Sequence, residues 1–515
     1  MFRACSRLFY VLATMLNSAF NAVAASFQFS KSVNMRETDT DASRERHFTK
    51  PDERSSLAPG MDLVSLSKPG DNASHERQVG GQNNTPSDNK RVAGVKPEDS
   101  VTHLDFSPDP YKSIDLSKPS DQSKPSDATK LSDQPKSVDE RLAAGRKAME
   151  DLAEKHMTKF YPSIYDGKQY QYAPTFKKDM EKLEGRMNAG QVSKEEVAKT
   201  YESIAKMVDS PTDVTSQGKR LQLAKNIMFH AGDPTKTDQG EYNTCALTSQ
   251  QERLFTRNPS KAADIIAEAA TTGKWVAPDG KEIKIDKASL QPRPGSIMGQ
   301  PIDGERSYAT QVLNNVLAND IHQRKEKPES YVQYQNRDKQ GRRLGEEDNG
   351  ERVYDAKGRE VRDPDGKKLR APQVDDVEVA AQIKRLTGDT GVVMVNKKML
   401  ETDDTSQKRN PEAAKDVVLL SSEKQLAESL ARLKEQGKFP AIIGLDGADR
   451  VLGAGLPKDP RMPKSREFEG HMLSVTDYDA VKGRARLSNQ WGQASDRWMS
   501  IKDLYRATDP ERPRR

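Results

Sequence analysis

Between Ser26 and Val138 the chain has almost nothing to bury. This stretch is rich in Ser, Asp, Lys, Pro, Asn and Gln. It carries the near-repeats Leu66-Ser67-Lys68-Pro69, Leu116-Ser117-Lys118-Pro119-Ser120-Asp121 and Ser123-Lys124-Pro125-Ser126-Asp127. Such a composition cannot offset the entropy lost on ordering, so residues 26–138 read as a disordered linker. Any core must therefore come from the rest of the 515 residues. The low apolar share of 34% beside 31% charged residues fits one globular region plus disorder.

Ahead of the linker, Arg3 and Arg7 precede the apolar run Leu8 to Leu16, and Ala22-Val23-Ala24 supplies small residues of the kind a signal peptidase cuts after. Residues 1–25 are thus expected to be a secretory signal, and the mature chain to be secreted. The run is too short for a permanent span, and no other window is apolar enough for an integral membrane segment. Lys and Arg number 83 against 78 Asp and Glu, a net charge of +5 without a long basic block, so a nucleic-acid partner is not expected.

From Asp139 to about His230 the pattern becomes helical. Leu142, Met149, Leu152, Ala153 and Met157 recur at helical spacing, as do Met180, Leu183 and Met187, then Val197, Tyr201, Ile204 and Met207. Pro162, Pro174 and Pro211 divide the region into three or four helices. It reads as a structural lobe with an intramolecular contact to residues 231–515, its alternative being a removable propeptide.

Residues 231–515 mix both periods, which gives an α+β class. A helix begins at Cys245, with Thr244 or Asn243 as its N-cap, and another runs from about Tyr308 to His322. A strand pair turns at Asp279-Gly280. Residues 325–375 are highly charged and hold Asp-x-x-Gly turns at Asp338 to Gly341, Asp355 to Gly358 and Asp363 to Gly366, so they read as a hairpin insertion. Strands at Gly391 to Asn396 and Val417 to Leu420, a helix at Glu423 to Gln436 and a strand at Ala441 to Leu445 come next. A closing hairpin, His471 to Tyr478 and Arg484 to Ser488, turns near Val481 and brings Asn489 to Trp491 back opposite His471.

Once the leader is removed, Cys245 is the sole cysteine, which rules out an intramolecular disulfide. A thiol attacks carbonyls as thiolate, so it needs a base, a group to orient that base, and donors for the oxyanion. His471 offers the imidazole and Asn489 the orienting amide. A helix start beneath the sulfur adds partial positive charge that favours thiolate. Asp477 and Asp479 are rival orienters, and His230, near the cysteine in sequence, is a substitute base. No histidine pair has metal-ligand spacing, so neither a metal nor another cofactor is expected.

Three pieces together, Gln239-Gly240 lying six positions before Cys245, Gly470-His471 opening a strand, and Asn489-Gln490-Trp491-Gly492 after the next strand, resemble the papain-like cysteine peptidases, including the calpain branch. The resemblance implies a two-lobe fold, with a helical lobe carrying the cysteine and an antiparallel β-barrel-like lobe carrying histidine and asparagine. It implies a Cys245, His471, Asn489 triad, Gln239 with the Cys245 N–H as oxyanion hole, and Trp491 covering the His–Asn contact. The substrate would be protein or peptide, cleaved through an acyl-thioenzyme. Two features depart from the family. Ala246 stands where it has tryptophan, and the stretch from Cys245 to His471 exceeds the roughly 130–150 residues of papain-type chains, an excess the 325–375 insertion helps absorb. Glutamine deamidation or acyl transfer by the same triad, and a non-catalytic papain-like binding protein, remain open alternatives.

Overall fold

The computed structural model describes residues 137–158, 160–162, 169–292, 303–334, 350–363, 366–369, 371–402, 411–447, 449, 452 and 470–511. The expected signal at 1–25, all but the last two residues of the linker and the turn at Asp338 to Gly341 lie outside them.

Four helices fill the region from 138 to 232: α1 (Val138–His156), α2 (Ala173–Asn188), α3 (Lys194–Asp209) and α4 (Gln217–Gly232), with a short pair β1 (Phe160–Pro162) and β2 (Gln169–Gln171) between the first two. Local chemistry sets their starts. Ser137 and Glu140 form a reciprocal capping box, Ser193 and Ser216 cap α3 and α4, and Pro174 occupies the first turn of α2. The periodic residues named from the sequence face inward, with Met149, Leu183, Tyr201 and Ile204 all buried.

They do not form a core of their own. The same apolar cluster takes in residues of α5 (Cys245–Arg257), α6 (Pro259–Thr272) and α7 (Tyr308–His322), among them Phe255, Ile265 and Val312. Polar ties reinforce it: Arg186 donates to the carbonyls of Phe255 (3.1 Å) and Thr256 (2.5 Å), and the His230 ring meets Ser307 Oγ at 2.8 Å. The helical region is thus structurally continuous with the segment that bears the cysteine. The strand pair β3 (Lys274–Val276) and β4 (Glu282–Lys284) turns where Asp279-Gly280 was expected to place it.

The charged stretch 325–375 is described in part. Strands β5 (Glu329–Gln333) and β6 (Glu351–Asp355) pair antiparallel, and Asp355 closes the next turn by accepting the N–H of Lys357 and Arg359. Its base is not solvated, because Tyr331, Gln333 and Glu351 are fully buried.

After α8 (Asp376–Thr387) the chain builds one sheet. Its strands are β7 (Val393–Asn396), β8 (Val417–Leu420), β9 (Ala441–Asp446), β10 (Gly470–Asp479), β11 (Arg484–Ser488) and β12 (Arg497–Ser500), in spatial order β12-β11-β10-β9-β7-β8. The helices α9 (Lys397–Thr402), α10 (Pro411–Ala414) and α11 (Glu423–Glu435) connect β7, β8 and β9, and α12 (Ile501–Ala507) closes the chain. The barrel-like antiparallel arrangement expected from the sequence is not what these strands make. Helical crossovers return the chain in the same direction, so β7 pairs parallel with β8 and with β9, and the described strands form an open mixed sheet with β8 and β12 at its edges. From β9 through β10 and β11 to β12 the successive pairings are antiparallel. This sheet has its own apolar cluster, including Val393, Ile443, Leu473 and Leu487.

Candidate active site

The β10–β11 hairpin assembles half of the site. A bulge between Val475 and Asp477 shifts the pairing by one residue, so that Ser474 faces Ser488. Continued three residues further, that register puts Trp491 across from His471. The two rings stack with centroids 4.3 Å apart and planes 22° from parallel. Asn489 Oδ1 lies 3.0 Å from His471 Nε2, and all three side chains are buried. Because an amide oxygen only accepts, this contact places the ring proton on Nε2 and leaves the lone pair on Nδ1. Gly492 comes next because nothing larger fits: its φ is +111°, and a Cβ there would sit 2.8 Å from Asp303 Oδ1 and 2.9 Å from the Gly304 nitrogen.

The other half sits at the start of α5. Cys245 is a free, half-buried thiol packed against the sheet core, and the backbone N–H groups of Met472, Ala246 and Cys245 itself act on its sulfur. Met472 is the residue after His471, so the thiol lies against the strand that carries the imidazole. Thr244 holds the N-cap position but makes no side-chain cap, since its hydroxyl accepts instead from Asn314 Nδ2 at 3.2 Å. The first amides of the helix are therefore left to the sulfur. Further along α5, Ser249 donates to Met472 O (3.4 Å), and Arg253 donates to Lys438 O (2.6 Å) and pairs with Asp389 (2.6 Å). The helix is fastened to the sheet on this side.

Burial dominates the resting protonation. It pushes the Cys245 thiol up from its ordinary value, and the Asp376 carboxylate adds to this, while the three N–H groups act the other way. Burial likewise brings His471 down to about 4, opposed by Asn489. The thiolate favoured on sequence grounds by the helix start is thus not the resting form. Burial opposes both the thiolate of Cys245 and the imidazolium of His471.

The Gln239 segment joins these halves. Its backbone N–H donates to Gln490 O at 2.9 Å, within the same run as Asn489 and Trp491. The Gln239 side chain is buried, its Oε1 has no hydrogen-bond partner, and its amide makes no bond to another described residue. A carboxamide held by its backbone and idle at its tip is suited to receive a developing oxyanion. Gly240 turns at φ +61° with its Cα hydrogens against Arg306, whose guanidinium lies 3.6 Å over the Tyr242 ring.

Sequence reasoning missed three acids around the site. Glu351, at the base of the insertion, accepts the Asn243 N–H at 3.2 Å and the Tyr331 hydroxyl, so the charged arm braces the cysteine loop. Asp496 accepts the Asn489 N–H at 2.9 Å, and burial pushes its pKa up to about 7. Glu252 is buried on α5 itself. Glu252 and Glu351 lie more than a hundred residues from Gln490 and Asn243, and a lone acid such as Asp496 carries no periodic signal.

The rival residues fall elsewhere. Asp477 pairs with Lys434 at 2.8 Å, and Asp479 caps the hairpin turn through the Lys482 N–H at 3.0 Å. His230 is buried between Phe229 and Phe255, and His322 is held by Glu329 and Pro372 O. Among the described residues no His, Cys, Asp or Glu cluster is arranged to hold a metal, and no helix is long and apolar enough to cross a membrane. The chain matches no family model, no curated protein and no solved structure. Its class accordingly rests on the site alone, carried by an α+β scaffold.

Proposed function

We propose that this chain is a papain-like thiol hydrolase, a cysteine endopeptidase acting on protein substrates after export. One observation carries the reading: His471 Nε2 is committed to Asn489 Oδ1 at 3.0 Å beneath the stacked Trp491, with Cys245 at the start of a helix against the same strand. In the proposed reaction Sγ forms a bond to the carbonyl carbon as His471 Nδ1 takes the thiol proton. The carbonyl oxygen becomes an anion received by the Cys245 N–H and the Gln239 amide. Collapse breaks the C–N bond, and His471 hands its proton to the leaving amine. Water then cleaves the thioester with His471 again as base, and the thiol is restored.

Alkylation of Cys245 by iodoacetamide tests this directly. Rapid labelling that His471→Ala abolishes supports the enzyme, whereas equally slow labelling of both proteins overturns it and leaves a binding protein with an inert thiol. Incubation with an unfolded protein substrate then separates the reactions. New peptide termini mark a peptidase, and ammonia release without cleavage marks a deamidase or acyltransferase.

A further inference from the structure

Glu252 lies on α5 two turns beyond Cys245, with none of its surface exposed (0%). Its Oε2 is 3.4 Å from Gln490 Nε2, which also lies 3.4 Å from Ser474 Oγ and 3.3 Å from Ser488 O. The hydroxyls of Ser474 and Ser488 are near enough to act on the carboxyl, yet Oε1 has no well-aligned hydrogen-bond partner. Ser474 is on β10 with His471, and Ser488 directly precedes Asn489. Gln490 is the residue whose carbonyl receives the Gln239 N–H at 2.9 Å. The charged group facing Glu252 is another acid, Asp496, itself faced by Arg486, Asp303 and Asp233. The adjacent cation on the helix, Arg253, is turned away towards Asp389.

We propose that Glu252 is the positioning residue of this site, tying the Cys245 helix to the strands that carry His471 and Asn489 and, through Gln490, setting Gln239. The inference rests on the thiol-hydrolase reading. A carboxyl with no cation paired to it among the described residues, held only by long contacts to neutral groups and with an acid opposite, is held in its protonated form. Burial first and Asp496 second push it up to about 8. As a neutral acid it accepts from the Gln490 amide and offers a proton to the serine hydroxyls around it. Ionised, it becomes a bare anion beside Asp496, and the segments it joins are driven apart. A residue that merely fills space has no such dependence on protonation.

The test is the rate of Cys245 alkylation by iodoacetamide from about pH 6 to about pH 10 in the wild type, Glu252→Gln, Glu252→Ala and His471→Ala, with near-ultraviolet circular dichroism reporting the fold. Glu252→Gln, neutral at every pH, is expected to stay within about twofold of wild type on the acid side and to keep rising through about pH 8, where the wild type bends downward. Glu252→Ala is expected to be about 10- to 100-fold slower throughout, the scale on which small misplacements of reacting groups register. Superimposable wild-type and Glu252→Gln profiles, or wild-type rates in Glu252→Ala, overturn the inference. If Glu252→Ala does not fold, the Glu252→Gln profile alone decides. His471→Ala reports separately: wild-type rates there remove the thiol-hydrolase reading itself, whereas slow labelling there beside unaffected Glu252 variants removes only the role of Glu252.

Discussion

His471 and Asn489 meet across the end of one hairpin, Nε2 to Oδ1 at 3.0 Å, and the bulge near Thr476 sets the register of that hairpin. Without that one-residue shift, Gly492 rather than Trp491 would continue the register opposite the histidine, and the ring would lose the indole that covers it. Asn489→Ala is therefore expected to release the imidazole and slow iodoacetamide labelling of Cys245 by about 10- to 100-fold, with the fold unchanged by circular dichroism. Wild-type labelling in this variant would show that the tautomer needs no amide to fix it.

Gln239 should affect a different quantity. Alkylation forms no oxyanion, so Gln239→Ala is expected to label at the wild-type rate. Its turnover of a protein substrate should drop by about 100- to 1000-fold, the usual cost of one oxyanion donor. A parallel loss of labelling would mean that Gln239 acts only by shaping the loop.

The acid limb of labelling should fall near pH 4, because His471 is brought down to about 4 by burial. The same shift has a stability consequence whose sign is fixed. A histidine whose folded pKa lies below its unfolded one contributes stability that is intact above about pH 6.5 and is lost as pH falls through about 4, with a slope of up to about 1.4 kcal/mol per pH unit. Urea denaturation across this range should show a shallower acid loss in His471→Gln than in wild type. Equal slopes would place the ring in solvent.

Removing the helical region should destroy the protein rather than activate it. Phe255 and Ile265 share one core with Phe176, Tyr201 and Ile204, so a chain beginning after Gly232 leaves that apolar surface bare. It is expected to be insoluble or unfolded and to show no enhanced labelling. Within the intact chain, Phe255→Ala should cost about 3–5 kcal/mol in urea denaturation. A soluble, hyperactive truncation would restore the propeptide alternative.

Much of this was legible in the sequence because the relevant signals are local. The helix start at Cys245, the hairpin turning near Val481 and the helical spacing of Leu142 to Met207 depend on residues close in the chain. The direction of the sheet strands was not legible, because crossovers set it. The runs at 393–396 and 417–420 look alike whether they pair parallel or antiparallel. Glu252, Glu351 and Asp496 went unnoticed for a similar reason, since their roles come from partners more than a hundred residues away or from burial that no single position announces. Thr244 illustrates the reverse: a good capping residue by type, it is claimed by Asn314 and leaves the helix amides open.

The two apolar cores meet at α5, where Leu247 belongs to the helical one and Ala246 to that of the sheet. Cys245 thus rides on a helix that neither core completes alone. A chain that has formed its helices but not its sheet holds Cys245 with no imidazole, and one with only its sheet holds an imidazole with no thiol. Under the proposed function, reactivity at Cys245 is expected only in molecules where both halves have closed on the same helix.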